Sequence, residues 1–324
     1  MWNNLYGKNL VMSKEGLKFV SDIETGDLLL NVNNGFSKVL AVKESSFPLL
    51  SIKGHGHPDF IVYPESLALS TNYKRIVNKK TGKTERKFTN PAWVLAQNLK
   101  GSFWSSPIIF YKEKIPVELN ENISWLIGAY LANGYTKSNK IYFLTSHFRE
   151  EKLSEKTNFL KLKLYKEKKG SIFEYYINHA VLSDWIRRTF DKGYGIKNIP
   201  LWVYGMDKKL RENLFDGFVW GSGVFENQSY RFSIKNNKYL AIGIKLIAQS
   251  LGYSTALYFS ESGRKKEIKR WQIVAEINAR SSVVIDNNRY GLIREIRKSE
   301  KNNINYSIKL DKENGIIVDG IIIR

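Results

Sequence analysis

Two short stretches could do chemistry if they were brought together. LIGAYLANGY spans Leu126 to Tyr135, and LFDGFVWGSG spans Leu214 to Gly223. Each carries small residues four apart, Gly128 with Ala132 and Gly217 with Gly221. On a helix such residues share a face. Two helices bare on that face can cross with their backbones nearly touching. Each small-residue face ends in a polar residue and a glycine, Asn133-Gly134 and Ser222-Gly223, so paired helices would make positions 133 and 222 neighbours. A carboxylate at both would need a divalent cation between them. That cation would be Mg²⁺, positioning water against a phosphodiester. Here Asn133 offers an uncharged amide oxygen and Ser222 a hydroxyl, and neither recruits Mg²⁺. Asp216 and Glu226 lie on other turns and do not substitute. Without cysteine there is no disulfide or zinc–thiolate site. The four histidines have no partner at helical ligand spacing. The expectation is no cofactor, with Mg²⁺ required only if cleavage is retained.

The elements that must position these residues fall into two textures. With 324 residues the chain can build two cores. Residues 1 to about 112 read as short strands between turn signals, among them KNLVM, DLLLNV, SKVLAVKE and DFIVYP. Within them Lys74 to Lys87 (KRIVNKKTGKTERK) is a basic hairpin or loop that could contact phosphate. From about Glu118 helices and strands alternate. ISWLIGAYLA, HAVLSDWIRRTF, DKKLRENLFDGFVWGSG and NKYLAIGIKLIAQSLGY have helical spacing, the last with Gly252 as a cap. NKIYFLTSH, LKLKLYK, YRFSIK, TALYFS and IKRWQIVAEI read as strands, and KNIPLWVYG as a turn. This middle region repeats itself, and a repeat outweighs any single motif. From about Asn287 the β texture returns, so the simplest reading is a β domain interrupted by an inserted α/β domain.

Lysine and arginine total 51 against 31 acids, a net charge of +20, which favours a polyanionic partner. No apolar run reaches 18 residues, and the start MWNNLYGKN has no signal-peptide core. Alternation along the inserted strands sorts their faces. Ile141, Phe143 and Thr145 turn toward the helices, with Lys140, Tyr142 and Ser146 outward. Leu160, Leu162 and Leu164 turn inward, with Lys161, Lys163 and Tyr165 outward. Tyr230, Phe232 and Ile234 turn inward, with Arg231, Ser233 and Lys235 outward. Arg264, Lys265, Lys266, Lys269 and Arg270 cluster near a turn. Such basic outer faces suit a DNA groove.

The two helical stretches resemble the paired LAGLIDADG motifs of homing endonucleases carried inside inteins. GIKNIPLWVYGMDKKLRENLFDGFVWGSGVF resembles the run into the second motif, with its Lys-x-Ile-Pro turn at Lys197, Ile199 and Pro200. The flanks GKNLVMSKEGLKFVSDIETGDLLL, PAWVLAQNLKGSFW and YSIKLDKENGIIVDGIII resemble blocks of an intein splicing (Hint) domain. The resemblance implies an all-β Hint domain, residues 1–117 with 284–324. It implies an inserted α/β endonuclease-like domain, residues 118–283, with pseudo-twofold αββαββα repeats. It also implies a monomer on double-stranded DNA, inside a cell or phage-encoded. The departures are specific. The splicing nucleophile would fall near Asn4, the Thr–His block at Tyr63 and Ser66, and the chain ends at Arg324 without a His–Asn pair. Acyl transfer then has no route. The expectation is a DNA-binding protein without splicing and with little or no cleavage. The alternatives are an active metal-dependent endonuclease, or a structural component of a phage or nucleic-acid complex whose old DNA face holds a protein partner.

Overall fold

The computed structural model describes residues 2–77, 82–109, 118–145, 149–169, 172–193, 195–262, 268–277, 282–286, 288–300 and 304–324. The chain divides into two compact units, Met1–Ile109 with Asn278–Arg324, and Phe110–Ile277. The resemblance implies seams at 117/118 and 283/284.

In the first unit an antiparallel network of fifteen strands runs through the described residues. The two sequence-distant pieces are woven together. Trp2–Tyr6 pairs with Asn305–Leu310, and Phe103–Pro107 pairs with Asn288–Lys298. The core draws on both pieces, Leu5, Val11, Val39 and Trp104 from the first and Ile293, Ile308, Ile316 and Ile323 from the second. Because both pieces share one sheet and one core, the residues between them form an insertion. The GIIVDGIIIR run makes a tight hairpin from Ile316–Val318 and Ile321–Ile323. Its turn residues Asp319 and Gly320 both have left-handed φ, +50° and +74°, as a two-residue turn matching strand twist requires. Asp319 also accepts the Leu10 N–H at 2.8 Å and lies 3.5 Å from buried His57 Nε2, which pins the hairpin to the rest of the unit.

The second unit contains two successive αββαββ runs. The first is α1 (Glu121–Asn133), β1 (Gly134–Lys137), β2 (Lys140–Thr145), α2 (Glu150–Phe159), β3 (Leu164–Lys169) and β4 (Ile172–Asn178). A link follows, with α3 (Ala180–Phe190) and α4 (Leu201–Tyr204). The second run is α5 (Lys208–Ser222), β5 (Gly223–Glu226), β6 (Ser229–Lys235), α6 (Lys238–Ser250), β7 (Ser254–Ser262) and β8 (Ile268–Glu276). Each run closes a four-stranded antiparallel sheet, in the orders β1-β2-β4-β3 and β5-β6-β8-β7. The spacing is constant at the start of each run. Asn133 and Ser222, Gly134 and Gly223, Lys137 and Glu226, and Lys140 and Ser229 are each 89 residues apart.

Local chemistry explains the boundaries. Asn120 caps α1 by accepting the Ile123 N–H, and Asn237 caps α6 by accepting the Leu240 N–H. Gly252, at φ +98°, follows α6 in the left-handed position expected of it. Two expectations change. KNIPLWVYG is not a bare turn, since α4 forms there with Leu201, Trp202, Val203 and Tyr204 all buried. LKLKLYK is not one strand. Thr157 O accepts both the Leu160 and Leu162 N–H groups, and Lys161 takes φ +56°. That closure ends α2 and delays strand β3 until Leu164, so Leu160 and Leu162 form no inward row and Lys161 sits in a turn.

Candidate nucleic-acid interface

The helix crossing fixes the site. A Cβ on Gly128 would lie 2.8 Å from the carbonyl carbon of Leu214 and from the amide nitrogen of Phe218. A Cβ on Gly217 would lie 2.9 Å from the carbonyl carbon of Trp125 and 3.0 Å from the amide nitrogen of Ala129. Each glycine thus admits the partner helix's backbone at the equivalent place, with Ala132 against Gly221 one turn further on. Around this seam Trp125 packs on Trp220 with ring centroids 5.0 Å apart, and Ser124 Oγ donates to Leu210 O at 2.6 Å. Both helices end where Gly134 and Gly223 turn extended, and a side chain at either would strike the last turn of its own helix.

At these ends Asn133 and Ser222 take different backbone partners. The Asn133 amide donates to the Gly221 carbonyl of the opposite helix. Ser222 Oγ donates back to Phe218 O at 3.3 Å. Two cations occupy the neighbouring carbonyls instead. Lys197 Nζ donates to the Tyr130, Leu131 and Gly134 carbonyls, the latter two at 3.2 and 2.6 Å. Arg149 donates to Trp220 O and to Gly223 O, the latter at 3.3 Å. Leu131 and Trp220 are equivalent under the repeat, as are Gly134 and Gly223, so each helix receives a cation at its negative end. The two cations come from non-equivalent segments, one before α2 and one in the link. Burial pushes the Lys197 pKa down to about 7, opposed by Asp191. Burial also raises the Tyr130 phenol to about 12, with Asp191 adding to the rise. Asp216 is committed elsewhere, accepting Trp125 Nε1–H at 2.9 Å and pairing with Lys152 at 2.7 Å. Glu226 lies exposed at the end of β5. Among the described residues no group of three or more His, Asp or Glu could hold a metal ion.

Each sheet has a helix-covered face and an open face. On the first, Tyr135, Tyr142, Tyr176 and Tyr165 come from β1, β2, β4 and β3 in one cross-strand row. Tyr135 stacks on Tyr142 at 4.7 Å and Tyr165 on Tyr176 at 5.0 Å, with Tyr142 and Tyr176 tilted at 5.3 Å between them. Lys140 Nζ sits 4.0 Å over Tyr176, and Lys163 Nζ 5.1 Å over Tyr165. Desolvation works against the Lys140 charge, but Tyr142, Tyr176 and Glu167 hold its pKa above the usual lysine value. Lys140 and Tyr142 share the open face as expected, but Tyr142 is buried by its neighbouring rings. On the next row Glu167 stands directly opposite Glu174.

On the second sheet Arg231, Ser233 and Lys235 are exposed while Phe232 and Ile234 are buried. Cross-strand register aligns Arg231 with Val224 and Val274, Ser233 with Gln272 and Tyr258, and Lys235 with Arg270 and Ser260. Ser222, Val224, Arg231, Ser233, Tyr258 and Gln272 line a cleft of about 510 Å³ over this sheet. Lys269 and Arg270 are consecutive in β8, so they point to opposite faces and do not act as one cluster. Lys265 and Lys266, with Arg264, lie outside the described residues, as does Ser146.

Sequence alternation found the rows on β2 and β6 but missed Tyr135, Tyr176, Gln272, Tyr258 and Arg149. Each of these enters only through a cross-strand or helix-end partner. The first unit contains a second concavity, of about 440 Å³, lined by Asn3, Asn4, Tyr63, Glu65, Ser66 and Arg324 among others.

No family model matches the chain. A curated relative is the ATP-dependent DNA helicase Hel308 of Thermococcus kodakarensis, 24% identical over 312 residues. The match covers 77% of this chain and 28% of that protein, so the chain spans under a third of its relative's length. Among solved structures, the homing endonuclease I-DmoI in complex with DNA and calcium has a TM-score of 0.34 and 10% identity, over 48% of this chain and 83% of that one. Full-length DUF199/WhiA of Thermatoga maritima has a TM-score of 0.32 and 16% identity, over 49% and 53%. The N-terminal LAGLIDADG domain of DUF199/WhiA has a TM-score of 0.32 and 15% identity, over 49% and 78%. These likenesses are distant, and the fold of the second unit rests on its own duplicated αββαββ runs and their glycine-lined helix crossing.

Proposed function

We propose that this chain binds double-stranded DNA through the open faces of the two sheets in its second unit. In this reading it descends from an intein-borne LAGLIDADG homing endonuclease, acts as a monomer, and has lost both splicing and cleavage. The observation that carries the reading is the duplicated helix crossing with an open, Lys- and Arg-bearing sheet after each helix. A surface of this kind offers phosphate contacts from Lys140, Lys163, Lys235 and Arg270 and base-edge donors from Arg231 and Gln272. Loss of cleavage is supported by what holds the helix ends. Asn133 and Ser222 bring no carboxylate to the two helix ends, and each side chain is spent on a backbone carbonyl, Gly221 O and Phe218 O.

The Hint reading of the first unit is supported by convergence. Asn4, Tyr63 and Ser66, the positions where splicing chemistry would be sought, line one concavity. Tyr63 donates to Glu65 at 3.1 Å there, but no cysteine, the strongest acyl nucleophile, occurs in the chain. The relative's name carries helicase activity, but ATP-dependent unwinding is not proposed for this chain. Gly82-Lys83-Thr84 imitates the tail of a phosphate-binding loop, yet Val77 stands where that loop needs its first glycine.

Selection from a random duplex library tests the reading. Enrichment of one sequence family, with affinity falling steeply as salt rises, is expected. Absence of salt-dependent duplex binding would end it. Incubating the selected duplex with Mg²⁺ or Mn²⁺ should leave it uncut, and a discrete product would restore the endonuclease alternative.

A further inference from the structure

The basic segment of the first unit folds as a hairpin, Tyr73–Val77 against Thr84–Phe88, forming a two-stranded sheet of its own. Its register is unusual in charge. Lys74 stands directly opposite Lys87, and Arg75 directly opposite Arg86. Like charges facing across strands are destabilising, and an isolated two-stranded ribbon is marginal to begin with. Residues 73–88 contain a single acid, Glu85, opposite Ile76 on the Lys74–Lys87 face, which leaves the Arg75–Arg86 face with none. The Lys74, Arg75 and Lys87 side chains are exposed and make no hydrogen bond or ion pair among the described residues.

The base of the ribbon, by contrast, is clamped. Tyr73, Phe88 and buried Phe103 form a three-ring cluster with centroids 5.3 to 5.9 Å apart. Thr71 Oγ1 donates to Thr89 O at 2.7 Å, and Thr89 and Asn72 exchange further bonds. Arg86 also lies over the Tyr73 ring at 4.9 Å. A rigid foot thus carries two like-charged pairs, Lys74 with Lys87 on one face of the ribbon and Arg75 with Arg86 on the other. Repulsion of this kind is relieved by an anion with several closely spaced charges on a rigid backbone, which one carboxylate does not supply.

We propose that this hairpin is a second nucleic-acid contact, entering a groove of duplex DNA with Lys74 and Lys87 on one face of the ribbon and Arg75 and Arg86 on the other, each pair reaching the phosphates of one groove wall without reading sequence. It rests on the duplex-binding reading of the second unit. Removing the four charges should lower the salt dependence without altering base preference.

The test uses the full chain and a random-sequence duplex of about 30 base pairs, longer than one contact needs, followed by fluorescence anisotropy across roughly 50 to 300 mM KCl. The variant Lys74→Ala/Arg75→Ala/Arg86→Ala/Lys87→Ala should bind ~30-fold more weakly at about 100 mM KCl and lose about 3 units of log–log salt slope. Library selection with the variant should return the same consensus as the parent chain. In the absence of DNA the variant should still unfold in one cooperative transition, because the Tyr73–Phe88–Phe103 cluster is untouched, which separates lost contact from misfolding. The charge-keeping variant Lys74→Arg/Lys87→Arg should retain the parent slope. An unchanged slope in the alanine variant, with the parent binding duplex, overturns the hairpin and leaves the sheet reading intact. Failure of the parent to bind any duplex overturns both. Loss of poly-glutamate binding with duplex binding unchanged would assign the hairpin to an acidic protein and also overturn it.

Discussion

The two sheets of the second unit are built on one plan and dressed in opposite ways. On the first, the row of the open face farther from the helix ends is basic, with Lys137 opposite Lys140. The row nearer those ends is acidic, with Glu174 opposite Glu167. On the second sheet the far row holds Glu226 and Glu276 around Ser229. The nearer rows hold Ser233 with Gln272 and Tyr258, then Lys235 with Arg270. Between them, four tyrosines in the first sheet correspond to Val224, Arg231, Val274 and Ala256 in the second. The charge gradient therefore runs one way along one sheet and the other way along its repeat. Stacked rings turn their faces to one another and not outward, so the tyrosine row is a stiff ridge more than a base-stacking platform. Arg231 and Gln272 instead stand free of such stacking and have the donor and acceptor sets that discriminate guanine and adenine. A duplicated scaffold has thus kept its packing and diverged in its surface. Under the proposed duplex reading the DNA site is asymmetric, with sequence discrimination concentrated over the second sheet.

The largest expected effect tests the shared half of that comparison. Gly128→Ala and Gly217→Ala each push a methyl into the partner helix's backbone, and backbone cannot rotate away. Each should cost about 3 kcal/mol or more of second-unit stability. The two costs, measured by denaturant unfolding, should agree within about 0.5 kcal/mol. A large inequality would break the equivalence of the halves.

Surface substitutions should instead diverge. Arg231→Ala should lose about 1–3 kcal/mol of discrimination at one base position while leaving others unchanged. Lys140→Ala should weaken all duplexes alike and reduce the salt slope by about 1. Equal loss of sequence preference in both variants, read from competition binding, would refute the division of labour between the sheets.

The two helix-end cations sharpen the comparison through pH. With its pKa held down to about 7 by burial, Lys197 binds fewer protons in the folded chain than in the unfolded one between pH 7 and 10.5. Its destabilising contribution is fully present below pH 7 and relaxes as pH rises, so second-unit stability should climb by about 2 kcal/mol from about pH 7 toward pH 9. Tyr130, raised to about 12, acts oppositely and removes stability above about pH 10. Lys197→Met should flatten the rise over that first window. Arg149→Met should leave it in place, since guanidinium does not titrate there. The smallest effect is expected of Asn133→Asp/Ser222→Asp, which should give a weak Mg²⁺ site worth about 1 kcal/mol of stabilisation. Calorimetry without a binding heat would argue that the two side chains do not share a space.

Much of this architecture was legible in residue spacing. The repeat, the α1 and α5 boundaries, the glycine faces and the inward rows of β2 and β6 each depend on contacts within one element. The errors arose where local and distant demands competed. LKLKLYK alternates perfectly as a strand, yet its first half completes a helix because the Thr157 carbonyl captures two later N–H groups. Lys269 and Arg270 looked like one basic cluster until strand β8 set them on opposite faces.

The order of residues by itself determined where most helices and strands lie, that the inserted region is duplicated, that positions 133 and 222 lack acids, and that the chain is strongly basic. These follow from periodicity, counting and side-chain chemistry, which need no partner. The tyrosine row, the reversed charge gradient, the like-charged hairpin and the pairing of Lys197 and Arg149 with the helix ends were decided only by tertiary structure. The first three depend on the register between strands, where a one-residue slip would send each side chain to the other face. The last depends on cations arriving at a helix end from distant segments.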